Sequence, residues 1–135
     1  MNALRKLYKE LTSLHWEIGF LDNTFEGIVR GDKLKLTLVT HNFPNSWFAD
    51  PFILDVTDDT IIVLVEEVTK KISKGRISKL VIDRRNNYVI EKKVILERPG
   101  HLSFPIIYRK DDKIYVYPEN SEDGVLNIYE YNPIN

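Results

Sequence analysis

The chain has 135 residues, of which 43% are hydrophobic and 29% charged, a composition typical of a single folded globular domain. Its 19 basic and 20 acidic residues give a formal net charge of −1, which provides no general attraction to nucleic acid or to an anionic membrane. The absence of cysteine excludes disulfides, thiol nucleophiles and thiolate metal sites.

The N-terminal segment carries a helical pattern. Leu4, Leu7 and Leu11 lie on one stripe and predict a short amphipathic helix over residues 2–13. This segment is charged throughout and lacks the apolar core of a secretion signal. No apolar run approaches the roughly 20 residues that a membrane-spanning helix needs. We therefore expect a soluble cytoplasmic protein without membrane insertion.

The rest of the chain indicates strands. Apolar and polar residues alternate with a period of two in HWEIGFLD (residues 15–22) and KLKLTLVT (33–40). NTFEGIVRGD, between them, is compatible with a loop or a further short strand. Short strands then follow at near-even spacing, separated by Asp-Asp, Gly or Asn clusters: PFILDV, TIIVLVEEV, RISKLVID, YVIEKKVIL, SFPIIYRK, KIYVYPEN and VLNIYEY. This pattern predicts an antiparallel all-β fold.

The chain contains an internal repeat. Pro51 and Pro105 lie 54 residues apart, and each precedes an apolar run. The segments DDTIIVLVEE and GRISKLVI in the first unit match DDKIYVYPEN and GVLNIYEY in the second, which makes Glu66 equivalent to Glu119. A four-stranded unit that recurs at about 50 residues is typical of a β-propeller blade.

The repeat leads to a specific architecture. We predict antiparallel four-stranded β-propeller-like blades in one domain, residues 1–135, that forms a partial propeller of about two blades. The first blade covers about 47–97 and a second, incomplete blade about 101–131. A sandwich or barrel with two related halves is the alternative. Because two blades cannot close a ring, we expect either a homo-oligomer or further C-terminal blades.

The repeated segments resemble a known family. WFADPFIL, IIVLVEE, KGRISKLVI and HLSFPIIYRKDDKIYVYPENSEDGVLNIYEY are similar to an N-terminal propeller domain. This domain occurs in glucosamine inositolphosphorylceramide transferases and in bacterial proteins associated with sugar formyl or glycosyl transfer. It is itself similar to the five-bladed propellers of family-43 glycoside hydrolases. The resemblance implies a carbohydrate-binding or sugar-processing module of the glycosyltransferase-associated type.

The resemblance also implies a role for Asp50. In the glycosidase relatives, an aspartate directly before a proline faces the central funnel and acts as a general base, and Asp50 in ADPF matches it. The equivalent residue of the second unit is Phe104, so that carboxylate is missing. Inverting hydrolysis requires two carboxyl groups ~6.5–9.5 Å apart. We therefore expect this chain to be catalytically incomplete, with any glycoside hydrolase-like activity dependent on carboxylates outside it. The alternative role for Asp50 is a turn residue that caps backbone amides.

Three glutamates are the other candidate carboxylates. Adjacent residues on a strand face opposite sides, so at most one of Glu66 and Glu67 faces the funnel. Glu66 and Glu119 are equivalent in the repeat, which is equally compatible with a structural role shared by both units. On this basis Asp50 has no secure carboxylate partner within the chain.

Several residues near Asp50 are suited to binding a sugar, and the predicted substrate-binding set is Asp50, Trp47, His101 and Glu119. Trp47 and Phe48 can each stack on a pyranose face, but strand alternation sends them to opposite sides, so one of them is expected in the core and the other exposed. His101 precedes the second inner strand, where it either contacts a ligand or bonds the backbone. The three histidines show no metal-ligand spacing, so neither a metal nor an organic cofactor is expected.

Two functions remain open at this point. The first is a module that binds a carbohydrate or a sugar-linked substrate. The second is a protein-interaction scaffold that docks a partner domain or another copy through exposed blade faces. No phosphate-binding loop, dinucleotide-binding turn or catalytic serine motif is present, and no nucleic-acid-binding module is recognisable.

Overall fold

A computed structural model describes residues 16–133, so the helix expected over residues 2–13 lies outside the described residues. Residues 16–133 form nine strands, one short α-helix and one 3-10 turn at Ser121–Asp123. None of the helical segments in this range is long and apolar enough to cross a membrane.

The nine strands form three separate antiparallel sheets, which confirms the all-β prediction. The leading sheet contains β1 (Gly19–Leu21) and β2 (Leu36–Leu38). The central sheet contains, in order, β3 (Ser46–Val56), β4 (Thr60–Thr69), β5 (Arg76–Asp83) and β6 (Tyr88–Leu96). The trailing sheet contains β7 (Ser103–Lys110), β8 (Lys113–Glu119) and β9 (Tyr129–Tyr131).

One short helix, α1 (Phe25–Arg30), lies where the sequence pattern indicated a loop or a short strand. The Thr24 hydroxyl caps its start by accepting a hydrogen bond from the Gly27 N–H at 3.1 Å. Gly31 ends it in the left-handed conformation, with a φ of 80°. The sequence signal for this helix is its two capping residues, because six residues are too few to show a helical periodicity.

The central sheet is buried on both faces. On β4, Val63 and Val65 face one side and pack with Ile18 and Val39, which flank the leading sheet. Leu64 faces the other side, in an apolar cluster with residues of the trailing sheet and its approach, among them Leu102 and Val116. The central sheet therefore lies between the other two. Strands β3 and β7 lie beside each other where the central and trailing sheets meet.

The central and trailing sheets pair their strands in the same register. Val63 is opposite Leu80 in the central sheet, and Val116 is opposite Tyr129 in the trailing sheet. These residues are equivalent in the sequence repeat. The trailing sheet has three strands where the central sheet has four. The assignment of the two sheets to propeller blades, near 47–97 and 101–131, stays a prediction.

Both sheets also contain a bulge at the equivalent proline. Asp50 and Pro51 lie between two regular pairs of β3 with β4, and Phe104 and Pro105 do the same in β7 with β8. The residue before each proline has a positive φ, 50° at Asp50 and 44° at Phe104. Non-glycine residues adopt this conformation rarely, and bulges redirect side chains next to functional sites. The bulge is thus common to both sheets, and it points the Asp50 and Phe104 side chains in directions that a regular strand would not give them.

A buried ionic network joins all four strands of the central sheet. The Glu67 side chain is fully buried. Its carboxylate accepts hydrogen bonds from Ser46 on β3 at 2.8 Å, from Ser78 and Arg76 on β5 at 2.6 and 3.2 Å, and from Lys92 on β6. Burial would raise the pKa of Glu67, but these four donors together lower it to about 2.

We predict that Glu67→Gln lowers the free energy of unfolding by about 3 kcal/mol, because it leaves Lys92 and Arg76 without their buried counter-charge. Urea denaturation of the wild type and the variant measures this difference. Glu97→Gln is the control, since Glu97 also pairs with Arg76 but its side chain is 50% exposed. It should cost less than about 1 kcal/mol. Equal losses in the two variants would contradict the prediction.

Candidate functional site

A cleft of about 600 Å³ opens where the central sheet meets the trailing sheet. Its lining includes aromatic, carboxylate and imidazole side chains, namely Trp47, Asp50, Glu66, His101, Ser103 and Phe104. Trp47 and Asp50 come from β3 and Glu66 from β4, while His101 lies just before β7. The site thus depends on contact between the two repeated units.

The two bulges meet at this cleft. The Phe104 N–H donates a hydrogen bond to Asp50 Oδ2 at 3.4 Å. These are equivalent residues of the two units, so the repeat brings its own matching positions into contact across the boundary between the sheets. The second unit supplies a backbone donor at the point where the first supplies a carboxylate.

Glu66 lies beside Asp50 and is paired with His101. The Glu66 side chain is 12% exposed, and its Oε1 is 3.2 Å from His101 Nε2. The Gly75 N–H donates to His101 Nδ1 at 2.9 Å, so Nδ1 carries no proton. In the neutral ring the proton is therefore on Nε2, which donates to Glu66.

Gly75 permits the close approach of these groups. A Cβ atom at position 75 would lie 2.3 Å from the carbonyl oxygen of Leu102 and 2.6 Å from Glu66 Oε1. Both distances are shorter than any normal contact. The Leu102 N–H also donates to the Gly75 carbonyl at 3.0 Å, which ties the start of β5 to the approach of β7.

Asp50 and Glu66 form a hydrogen-bonded acid pair. Burial, the hydrogen bond with Asp50, and the negative charges of Asp50 and Glu119 raise the pKa of Glu66 to about 7. Near neutral pH the pair therefore shares one proton and offers both a donor and acceptors. Two carboxyl groups in direct hydrogen bond are closer than the ~6.5–9.5 Å that inverting glycoside hydrolysis requires. This arrangement is suited to binding hydroxyl groups.

The structure places most of the predicted site residues together. Asp50, Trp47 and His101 line the cleft, whereas Glu119 is exposed and opposite Ser103 on the trailing sheet, from where its charge acts on Glu66. In the part of the chain from 16 to 133, no three His, Cys, Asp or Glu side chains are arranged to hold a metal ion.

One expectation about Asp50 was wrong. The sequence left it without a secure carboxylate partner, but the structure pairs it with Glu66. Glu66 is directly opposite Ala49, the residue before Asp50, in the β3–β4 register. A correct alignment of β3 with β4 would have predicted the Asp50–Glu66 pair from the sequence. The roles of Gly75 and the Phe104 N–H had no signal in the sequence.

We predict that Glu66→Gln becomes more stable relative to the wild type as the pH rises from 5 to 8. The folded wild type binds the Glu66 proton more tightly than the unfolded chain does, so this group's contribution to stability falls as the pH rises from about 4.5 towards 7. The difference in unfolding free energy should change by about 2 kcal/mol, because glutamine does not titrate.

Urea denaturation at several pH values between 5 and 8 measures this change. Glu67 does not interfere, since both proteins contain it and its folded-state pKa of about 2 keeps it ionised across this range. A difference between variant and wild type that stays constant across the range would contradict the prediction.

The chain is similar to proteins named glucosamine inositolphosphorylceramide transferase 1. It is 30% identical over 86 residues to glucosamine inositolphosphorylceramide transferase 1 of Arabidopsis thaliana, a match that covers 64% of this chain and 11% of that protein. Proteins of the same name from Oryza sativa subsp. indica and subsp. japonica are 27% identical over 88 residues, covering 64% of this chain and 12% of theirs. No solved structure matches the chain.

The matching segment is thus a small part of these relatives. The family described as "Glucosamine inositolphosphorylceramide transferase 1, N-terminal" matches residues 35–134, which contain every cleft residue named above. Since this match covers most of the chain, the protein belongs to the family of glucosamine inositolphosphorylceramide transferase 1 N-terminal domains.

Proposed function

We propose that this chain is a carbohydrate-binding module of the sugar-processing type, and that its ligand occupies the cleft between the central and trailing sheets. The observation that carries the proposal is the Asp50–Glu66 acid pair on the wall of that cleft, beside Trp47. Membership of a family named after a glycosyltransferase supports a sugar or a sugar-linked molecule as the ligand.

The chemistry of the cleft suits a sugar ring. A pair of carboxyl groups that shares one proton presents a donor and an acceptor side by side, which complements two neighbouring hydroxyls of a pyranose. Trp47 supplies an aromatic surface for the apolar face of the ring. The volume of about 600 Å³ lies within the range of small-molecule sites, about 300–1,000 Å³.

The module binds and orients its ligand rather than cleaving it. Asp50 and Glu66 are in direct hydrogen bond, which is closer than inverting glycoside hydrolysis requires. Kinship to propellers and to family-43 glycoside hydrolases is part of this proposal, and it implies that any hydrolytic activity requires carboxylates from outside the chain. We propose that neither a metal nor an organic cofactor takes part in binding.

We predict that the protein binds a free monosaccharide or cyclitol in the cleft, tested with the sugars glucose and glucosamine and the cyclitol myo-inositol by isothermal titration calorimetry. Asp50→Asn should weaken binding about tenfold, because it removes a charged acceptor. Asparagine tolerates the positive φ at this position. Trp47→Ala should also weaken binding of the same sugars through lost stacking.

The matched control is Tyr108→Ala, an aromatic side chain of β7 that is 51% exposed and does not line the cleft. It should leave the affinity unchanged. Thermal melts of all variants separate lost folding from lost binding. The proposal fails if no sugar binds at millimolar concentration, or if Asp50→Asn binds as tightly as the wild type.

A second candidate function is self-association through exposed apolar faces. Phe25 and Val29 on α1 are 75% and 70% exposed, and Leu36 and Leu38 on β2 are 59% and 47% exposed. Large exposed apolar side chains commonly mark a protein–protein interaction surface. The proposed occupant of this surface is a second copy of the chain.

We predict a dimer or larger oligomer by light scattering at micromolar concentration. Leu36→Lys should shift the population towards monomer, because it places a charge on the apolar surface. Asp50→Asn is the control and should leave the oligomeric state unchanged. A monodisperse wild-type monomer would count decisively against self-association, without affecting the sugar-binding proposal.

A further inference from the structure

We propose that Gly75 is a positioning residue of the cleft: it holds the Glu66 carboxyl and the His101 ring in the arrangement that binds the sugar. This inference rests on the proposed function and deepens it. It names the backbone N–H that determines which atoms of the site donate hydrogen bonds and which accept them. Gly75 itself lies just before β5 and does not line the cleft.

The first argument is steric. A side chain at position 75 would have to occupy space held by Glu66 Oε1 and by the Leu102 carbonyl oxygen, at 2.6 and 2.3 Å from the new Cβ. Glu66 can rotate away, but only by leaving Asp50 and His101. The Leu102 carbonyl belongs to the backbone, so it can move only if the segment that leads into β7 moves with it. Any Cβ at this position therefore displaces groups on both sides of the cleft.

The second argument is hydrogen-bonding direction. The Gly75 N–H occupies His101 Nδ1 at 2.9 Å, which leaves Nε2 as the donor to Glu66 at 3.2 Å. Glu66 Oε1 is therefore engaged by the ring, and the remaining capacity of the carboxyl is directed at Asp50 and the cleft. Through His101 and Glu66, the Gly75 N–H thus determines which hydrogen-bonding groups face the ligand.

The repeat provides an internal comparison. Gly124 is the equivalent residue of the second unit, and it has a φ of 65° with no atom within 4 Å of an added Cβ. Glycine at 124 therefore serves a left-handed turn, whereas no positive φ requires it at 75. The close packing at Gly75 is specific to the unit that contributes the acid pair.

The test compares Gly75→Ala with Gly124→Ala, which changes the equivalent position without contacting the cleft. We expect Gly75→Ala to weaken monosaccharide binding about tenfold, because the acid pair separates. The pH midpoint of binding should also move, from about 7 towards the ordinary glutamate range, as Glu66 is released into water. Gly124→Ala should lower the melting temperature through backbone strain while affinity and midpoint stay as in the wild type.

Two His101 variants keep the proposal testable if Gly75→Ala does not fold. Glutamine places an amide N–H near the position of Nε2 and can still donate to Glu66. Asparagine places its oxygen near Nδ1 and can accept from Gly75, but it is too short to reach Glu66. Each variant keeps one hydrogen bond of His101 and loses the other, so we expect both to bind the monosaccharide about tenfold more weakly than the wild type. Wild-type affinity in His101→Gln, which gives the Gly75 N–H no acceptor, would overturn the inference.

A measurement without ligand separates this inference from the proposed function. Nitrogen NMR of the wild-type histidines should show His101 with its proton on Nε2 at a pH where the ring is neutral. The opposite tautomer overturns the inference even if sugars bind. Gly75→Ala with wild-type affinity, or equal losses in Gly75→Ala and Gly124→Ala, also overturns it and leaves the proposed function intact. A wild type that has the expected tautomer but binds no sugar overturns both, since Gly75 then positions nothing for a ligand.

Discussion

The central sheet depends on one buried carboxylate. Glu67 bonds donors from β3, β5 and β6 from its own position on β4, so a single side chain ties the four strands together at one end of the sheet. A buried carboxylate is costly unless it is fully paired, and this one is. The network also fixes the register of β4, because a slip by one residue would turn Glu67 towards the opposite face.

That register gives the neighbouring glutamate its position. Since adjacent residues face opposite sides of a strand, Glu66 must face the trailing sheet when Glu67 faces its donors. The two environments shift the two pKa values in opposite directions. Four donors lower the pKa of Glu67 to about 2, and burial beside Asp50 raises that of Glu66 to about 7. One glutamate is therefore a permanent structural anion, and the other is a group that can exchange a proton at neutral pH.

The cleft depends on a difference between the two repeated units. Both units keep the proline, the bulge and the positive φ before it. The first unit has Asp50 at this position and the second has Phe104, whose backbone N–H contacts the aspartate. Two carboxylates facing each other here would repel, whereas a carboxylate and a backbone donor attract. The loss of the acid in the second unit thus favours the contact between the sheets while leaving an aromatic side chain at the cleft.

The sequence by itself determined the features that follow from local alternation. A period of two predicted the strands and the all-β class, and it placed Glu66 and Glu67, and likewise Trp47 and Phe48, on opposite faces. The structure decided that Phe48 is the buried member of its pair. The sequence also singled out Asp50 and His101, which line the same cleft in the structure. These properties depend on a few neighbouring residues, so they are readable without a structure. The short helix α1 was missed because its caps, rather than any periodicity, define it.

Only the tertiary structure decided which groups meet. The pairing of Asp50 with Glu66 depends on a bulge that inserts one residue into β3, and no alternation pattern shows where a strand gains that residue. The contacts of Gly75 with Glu66 and Leu102 depend on how the central sheet packs against the segment that leads into the trailing sheet. Residues 75 and 102 are far apart in the sequence. Contacts of this kind are set by the packing of whole elements against one another, because the local residue pattern is the same whether or not the sheets are in contact.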